Sequence, residues 1–211
     1  MSLNHSDVTN HIIENNRTFK KFAPFYDAID VVAGRFRKAI SKYLADYNTV
    51  LDIACGTGSQ AVDLSKHSGN IVGVDLSEDM LAKARKKARG MNNVQFMRAD
   101  ATSLPFRNHH FEASIISFSL HDMPYDIAMA VLQEAKRVTK AGGVIVIADY
   151  GQSCNPLVKR ACMRICGLWE TQHFTRFMQK SIEDYTEPLG LNVEERHNYY
   201  LGAATIIVVR L

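Results

Sequence analysis

Residues 49–61 read Thr49-Val50-Leu51-Asp52-Ile53-Ala54-Cys55-Gly56-Thr57-Gly58-Ser59-Gln60-Ala61, and the fold class follows from how that stretch is built. A short apolar run passes straight into two glycines, and a helical pattern then runs from Gly58 to His67. This is a strand, a tight turn whose glycines let a ligand approach the main chain, and a helix N-terminus. The alternation continues downstream. Ile71 to Asp75 reads as a second strand, and a helix opens after Ser77, an N-cap followed by Glu78 and Asp79 where the helix dipole favours negative charge. Met80, Leu81, Ala84 and Ala88 form its apolar stripe and Gly90 its stop. Val94 to Ala99, Phe111 to Phe118 and Val144 to Ala148 read as strands three to five. Between the last two, Ile127, Ala130, Val131, Ala135 and Val138 keep helical spacing, with Gly142-Gly143 expected to end that helix. Apolar runs such as Val144-Ile145-Val146-Ile147 mark strands covered on both faces, so the pattern predicts a doubly wound, mostly parallel α/β sheet.

The ends differ. Residues 12–45 read as a helical cap carrying Phe19, Phe22, Phe25, Tyr26, Phe36 and Tyr43. Residues 156–178 read as another helical stretch, with Leu157, Ala161, Ile165 and Trp169 at four-residue spacing, and Ser181 to Leu189 as a short helix frayed by Pro188. Two runs close the chain, Asn192 to Tyr199 and Ala204 to Arg210. Their connection around Gly202 is far too short for a parallel crossover, so they pair antiparallel. With no linker or repeat, the reading is one domain over 1–211: a cap (1–45), a core (46–150), a helical insert (151–190) and an antiparallel hairpin (191–211).

Composition excludes several classes. The chain has 211 residues, 46% hydrophobic and 22% charged, which is globular rather than disordered or fibrous, and long enough to bury a core without staples. No apolar stretch approaches membrane-spanning length, and the first residues lack the apolar core of a secretory signal. The net charge of +3 is too mild to name a partner, and the basic run Lys83 to Arg89 reads as a solvated helix face rather than a nucleic-acid patch. Cysteines at 55, 154, 162 and 166 lack zinc-ligand spacing and suit a reducing cytoplasm. No metal is expected.

By spacing alone, Gly56-x-Gly58-x-x-Ala61 with Asp75 nineteen residues after Gly56 satisfies a dinucleotide fingerprint. Asp52 pulls away from that reading. It aims a carboxylate at the loop, where a pyrophosphate would want donors and positive potential. A ligand carrying an ammonium and a sulfonium would be served by that acid. Asp75, ending the second strand, can accept from both hydroxyls of a ribose, and Asp100, after the third, from an adenine amino group.

Three segments carry a resemblance: Val50 to Gly58; Gly73-Val74-Asp75-Leu76-Ser77-Glu78-Asp79-Met80-Leu81-Ala82-Lys83-Ala84-Arg85; and Ala99-Asp100-Ala101-Thr102-Ser103-Leu104-Pro105-Phe106. They resemble the consecutive motifs of class I S-adenosylmethionine (SAM) methyltransferases, with a Rossmann-like seven-stranded sheet and a reversed last strand. Arg137 to Gly143 looks like that family's turn before strand five, with Ala141 where proline is usual. Phe22-Ala23-Pro24-Phe25-Tyr26-Asp27 resembles a segment of its quinone-biosynthesis and phospholipid methyltransferases. The resemblance implies that Asp52, Ala54, Gly56 and Gly58 hold the methionine part of SAM and Asp75 the ribose. Leu76 and Met80 would lie beside the adenine, with Asp100 and Ala101 at its edge. Ser117 and Phe118 would pass under the methyl donor, and Tyr26 would close over it.

For an acceptor that must lose a proton, His121 with Asp122 beside it is the base candidate, placed at the carboxyl edge of the sheet where ligands sit. Trp169, His173, Phe174 and Phe177, opposite Phe22 and Tyr26, suggest a half-apolar roof over a small organic or lipid-like acceptor. The chain has neither the Asn-Pro-Pro-Tyr tetrapeptide of amide- and adenine-directed enzymes nor an appended RNA-binding module, which disfavours nucleic acid. The leading expectation is a cytoplasmic, monomeric or homodimeric SAM-dependent methyltransferase acting on a small molecule. The rivals are an NAD(P)-dependent oxidoreductase using the same loop and a non-catalytic SAM-binding protein.

Overall fold

The computed structural model describes residues 34–151, 155–167 and 172–211. Seven strands form one sheet: β1 (Thr49–Ile53), β2 (Asn70–Asp75), β3 (Val94–Arg98), β4 (Phe111–Ser117), β5 (Thr139–Tyr150), β6 (Val193–Tyr199) and β7 (Ala204–Arg210). Their order across the sheet is β3-β2-β1-β4-β5-β7-β6. Strands β1 to β5 run parallel, and β7 is antiparallel to both β5 and β6. The order reverses between β1 and β4, and a doubly wound sheet opens its ligand crevice at the carboxyl edge beside such a switch.

Strand period explains the two layers. On β5, Ile145 and Ile147 join one apolar cluster while Val144, Val146 and Ala148 join the other; on β7, Ile207 and Val209 oppose Ala204, Ile206 and Val208 in the same way. The first cluster is covered by α4 (Tyr125–Val138), α6 (Gln172–Gln179) and the segment through α7 (Glu183–Thr186), with Phe174, Phe177, Met178 and Tyr185 buried. The second is covered by α1 (residues 34–42) and α2 (Ser59–Leu64), through Phe36, Ile40, Ala61 and Leu64. Each large aliphatic or phenylalanine side chain among these contributes about 1.5–3 kcal/mol on full burial. Helix α3 (Glu78–Lys87) is capped as expected: the Met80 N–H donates to Ser77 Oγ, and Leu81 and Ala84 are buried. Arg137 donates to the carbonyls of Leu104 and Phe106 and pairs with Glu134, tying the loop after β3 to α4.

Three expectations are corrected or left aside. Gly142-Gly143 does not end the helix before strand five; α4 stops at Val138 and the chain enters β5 at once. The register jumps from Phe111–Thr139 to Ala113–Val144, so the glycines take up a bulge. Gly142 has φ +74° and donates to the Leu211 carbonyl, and a Cβ on Gly143 would come within 2.4 Å of the Glu112 carbonyl oxygen. The helical stretch expected over 156–178 is two helices, α5 (Pro156–Cys166) and α6, with Gly167 forming a turn after the first. The cap before residue 34, with Phe22 and Tyr26, lies outside the described residues, as does Trp169.

Gly73 marks how closely a side chain of β3 and the loop after β1 approach the β2 backbone. A Cβ there would stand 2.6 Å from two ring carbons of Phe96 and 2.9 Å from Cys55 Sγ. Overpacking of this kind costs about 1–3 kcal/mol. Gly73→Ala is expected to lose stability in that range on urea denaturation, and Phe96→Leu in the same background to recover part of it.

Candidate active site at the carboxyl edge of the sheet

The end of β1 forces the main chain through left-handed conformations: Ala54 has φ +56°, Gly56 +52° and Gly58 +73°. Ala54 does so despite its Cβ, a strain of order 1–3 kcal/mol. A Cβ added at Gly56 would meet nothing within 4 Å, whereas one at Gly58 would collide with Phe96 and Ala84. Packing therefore excludes a side chain at Gly58, whereas Gly56 faces open space.

Two carboxylates underlie the loop. Asp75, at the end of β2, accepts from the Gly56 N–H at 2.8 Å through Oδ2 and from the Ser77 N–H at 2.8 Å through Oδ1. Burial still raises its pKa, opposed by these amides and that of Leu76. Asp52, on β1, is fully buried and neither oxygen has a hydrogen-bond partner. Desolvation, and then the nearby charge of Asp75, push its pKa up to about 8; the Ala61 amide pulls the other way without closing a hydrogen bond. Asp100 lies just past β3, whose Arg98 is in register with Asp75. Its Oδ1 accepts from the Thr102 N–H and hydroxyl at 2.8 and 2.7 Å, an Asx turn that leaves Oδ2 outside both bonds. Leu76, Met80 and Ala101 are half-buried around these acids.

On the other side of the switch, Ser117 is half-buried beside Ala148, and Phe118 turns outward with φ +48° and 40% exposure. The Phe118 ring lies 5.4 Å from Phe36 and 5.8 Å from Tyr150. His121 follows in a 3-10 turn (Leu120–Asp122) and is buried, at 3% exposure. Its Nδ1 is 2.6 Å from Asp149 Oδ1, and its Nε2 is 3.6 Å from Asp122 Oδ2. Asp149 also accepts from the N–H groups of Leu120, His121 and Tyr150. A carboxylate so placed accepts a hydrogen bond from Nδ1–H, which in the neutral ring makes Nε2 the nitrogen without a proton. Tyr150, Phe174 and Phe177 enclose the imidazole edge-on, at 4.8, 6.1 and 6.3 Å.

These features have known relatives. A methyltransferase-domain family model matches residues 50–143. The chain is 30% identical over 200 residues to the demethylmenaquinone methyltransferase of Lactobacillus johnsonii, a match that covers 84% of this chain and 78% of that one. Against the protein of the same name from Staphylococcus saprophyticus, identity is 36% over 138 residues, or 64% of this chain; the match spans only 58% of that relative's length. A SAM-dependent methyltransferase structure from Thermotoga maritima, described as a possible histamine N-methyltransferase, shares the fold with a TM-score of 0.68 over 92% of this chain and 98% of that one, at 22% identity. The chain belongs to the class I SAM-dependent methyltransferases.

The residues present fit that family's cofactor. A buried carboxylate without a partner is a poor neighbour for pyrophosphate and a good one for a ligand with two cationic centres, so Asp52 speaks against the dinucleotide reading of the methyltransferase's glycine loop. Sequence reasoning paired His121 with its chain neighbour Asp122 and missed Asp149, which holds it more closely. The only signal was position: Asp149-Tyr150 ends β5 as Ser117-Phe118 ends β4, and neighbouring strand ends meet at one rim. His173, on α6, is half-buried.

Two consequences can be measured. The folded-state pKa of Asp52 lies above the ordinary value near 3.9, so its contribution to the stability of the ligand-free protein is complete at low pH and falls away as pH rises towards about 8. Asp52→Asn should match the parent near pH 4 and exceed it by a few kcal/mol above pH 8 in chemical denaturation. Asp149→Asn replaces an acceptor of four hydrogen bonds by a group with one acceptor oxygen. A loss of about 2–4 kcal/mol is expected in the same assay.

Proposed function

We propose that this methyltransferase transfers a methyl group from SAM to a small, flat, quinone-like acceptor, as one catalytic domain working in the cytoplasm. The observation that supports the acceptor class is the exposed Phe118 ring with Tyr150 beside it, backed by the buried Phe36, at the end of the strand that neighbours β1, read together with relatives named demethylmenaquinone methyltransferase. Among the described residues no helix is long and apolar enough to cross a membrane.

In this reading Asp52, Ala54, Gly56 and Gly58 face the methionine part of the cofactor and Asp75 the ribose. Asp75 can do so while still holding Gly56, because a carboxylate has about four acceptor positions and two are taken by amides. Leu76 and Met80 flank the adenine, Asp100 and Ala101 meet its edge, Ser117 and Phe118 form the floor beneath the reacting atoms, and Tyr26 closes over them. Bound SAM supplies an electrophilic methyl carbon on a sulfonium. The chain's own task is then largely positional: holding the acceptor in line and keeping water out. Where the acceptor atom carries a proton, His121 Nε2 receives it, with Asp149 stabilising the imidazolium that results.

Calorimetric titration with SAM, S-adenosylhomocysteine and NADH tests the cofactor half. The two adenosyl ligands should bind and NADH should not. Because a cationic ligand favours ionised Asp52, SAM affinity should rise with pH, by tenfold per unit at most, and level off above about 8. Asp52→Asn should flatten that dependence. Formation of methylated product from reduced demethylmenaquinone tests the acceptor half, and its absence in a protein that binds SAM would mean another acceptor.

A further inference from the structure

The β6–β7 connection is built unlike an ordinary hairpin. Tyr200, Leu201 and Gly202 are three consecutive residues in the left-handed region, with φ +53°, +59° and +90°, and only the third is glycine. Hairpins that need such angles normally supply them with Asn, Asp or Gly. Here the two strained positions carry large apolar side chains turned to solvent: Tyr200 is 47% exposed and Leu201 85%. A tip chosen for stability would have neither property.

Position gives the strain a use. Strand β7 is antiparallel to β5, so Ala204 pairs with Tyr150 and the tip stands at the carboxyl edge, beside the end of β5. It is fixed there: the Gly151 N–H donates to the Ala203 carbonyl at 2.9 Å, the Ala203 N–H to the Tyr200 carbonyl at 3.1 Å, and the Gly202 carbonyl crowds Gly151 so closely that a Cβ would stand 1.8 Å from it. The Tyr200 ring lies 6.2 Å from Phe36, the buried ring that also touches Phe118 at 5.4 Å and Tyr199 at 5.2 Å. Phe36 thus anchors two half-exposed aromatic rings, one on the floor ending β4 and one on the hairpin tip.

We propose that Tyr200 and Leu201 select the acceptor: Tyr200 with Phe118 holds a flat unsaturated ring, and Leu201 meets the apolar substituent that ring carries. This rests on the quinone-like reading of the same site and adds the residues that read the acceptor. Rigid aromatic walls gain contact area with little loss of side-chain freedom, and offset or edge-to-face contact suits a planar ligand.

The test compares Tyr200→Ala, Tyr200→Phe and Leu201→Gly with the parent, using SAM and reduced demethylmenaquinone. Tyr200→Ala is expected to raise the acceptor KM tenfold or more while the SAM Kd stays within twofold, and Tyr200→Phe to restore it, since the ring rather than the hydroxyl makes the contact. Leu201→Gly relieves a strained angle, so its Tm should hold or rise while its acceptor KM still increases severalfold. Variants that keep the parent's acceptor KM would overturn the role of the tip while leaving the acceptor class standing. A parent chain that binds SAM but ignores the quinol would overturn the acceptor class, and this selection with it.

Discussion

A carboxylate with no partner, sealed at the bottom of the crevice, sets the terms for the rest of this site. Asp52 sits on β1, an interior strand next to the switch in strand order, where no side chain or water-facing surface relieves it. Removing such a group from water is expensive unless it is neutralised or paired, and burial accordingly drives it towards its protonated form. The chain therefore carries a buried acid with no internal compensation, which is the basis for proposing a cationic ligand there. Asp75 adds to the penalty by its charge and also shapes the site, because its bond to the Gly56 N–H holds the loop after β1 onto the end of β2. One acid thus supplies binding potential, and the other supplies both potential and geometry.

The second half of the site depends on a different balance. Asp149 is buried like Asp52, at 4% against 0% exposure, but fully engaged, accepting from three backbone amides and the His121 ring. It pins the turn after β4 to the end of β5, and so fixes the direction in which Phe118 leaves the sheet. The imidazole is consequently held in one tautomer and one orientation by contacts made before any acceptor arrives, which is the kind of preorganisation that positional catalysis requires. The two buried acids stand in opposite positions before the same desolvation problem, one satisfied internally and one without a partner.

Much of this was legible in the sequence, for identifiable reasons. Strand and helix periods gave the parallel order through β5, because alternation of short apolar runs with 3.6-residue patterns has few folded solutions; the shortness of the Gly202 connection gave the antiparallel ending. Asp52, Asp75 and Asp100 were visible because each stands at a strand end beside a turn signal. What was hidden is what depends on contacts between distant residues. Asp149 is 28 residues from His121 and joins it only through the β4–β5 pairing. Gly142-Gly143 looked like a helix stop because a bulge inside a strand and a helix terminus use glycine for the same conformational reason. The hairpin tip carried no signal, since Tyr200 and Leu201 are residues that sequence rules place in strands, and only the backbone angles mark them out.

Those angles connect the separate parts of the rim. Among the described residues five non-glycines adopt the left-handed region: Ala54, His109, Phe118, Tyr200 and Leu201. His109 lies at the opposite edge, before β4; the other four follow β1, β4 and β6 and surround the carboxyl edge. Left-handed backbone costs a residue with a Cβ about 1–2 kcal/mol, so the four together take up several kcal/mol, a large share of what keeps a domain folded. Strain concentrated at one rim is a constraint that the core has to support, and the two apolar clusters on the sheet faces provide that support. Relaxing any of these positions would strengthen the fold and blur the surface that the site presents. The distribution of strain therefore singles out the carboxyl edge independently of the motifs, and it runs from the glycine loop through Phe118 to a hairpin that the motifs do not reach.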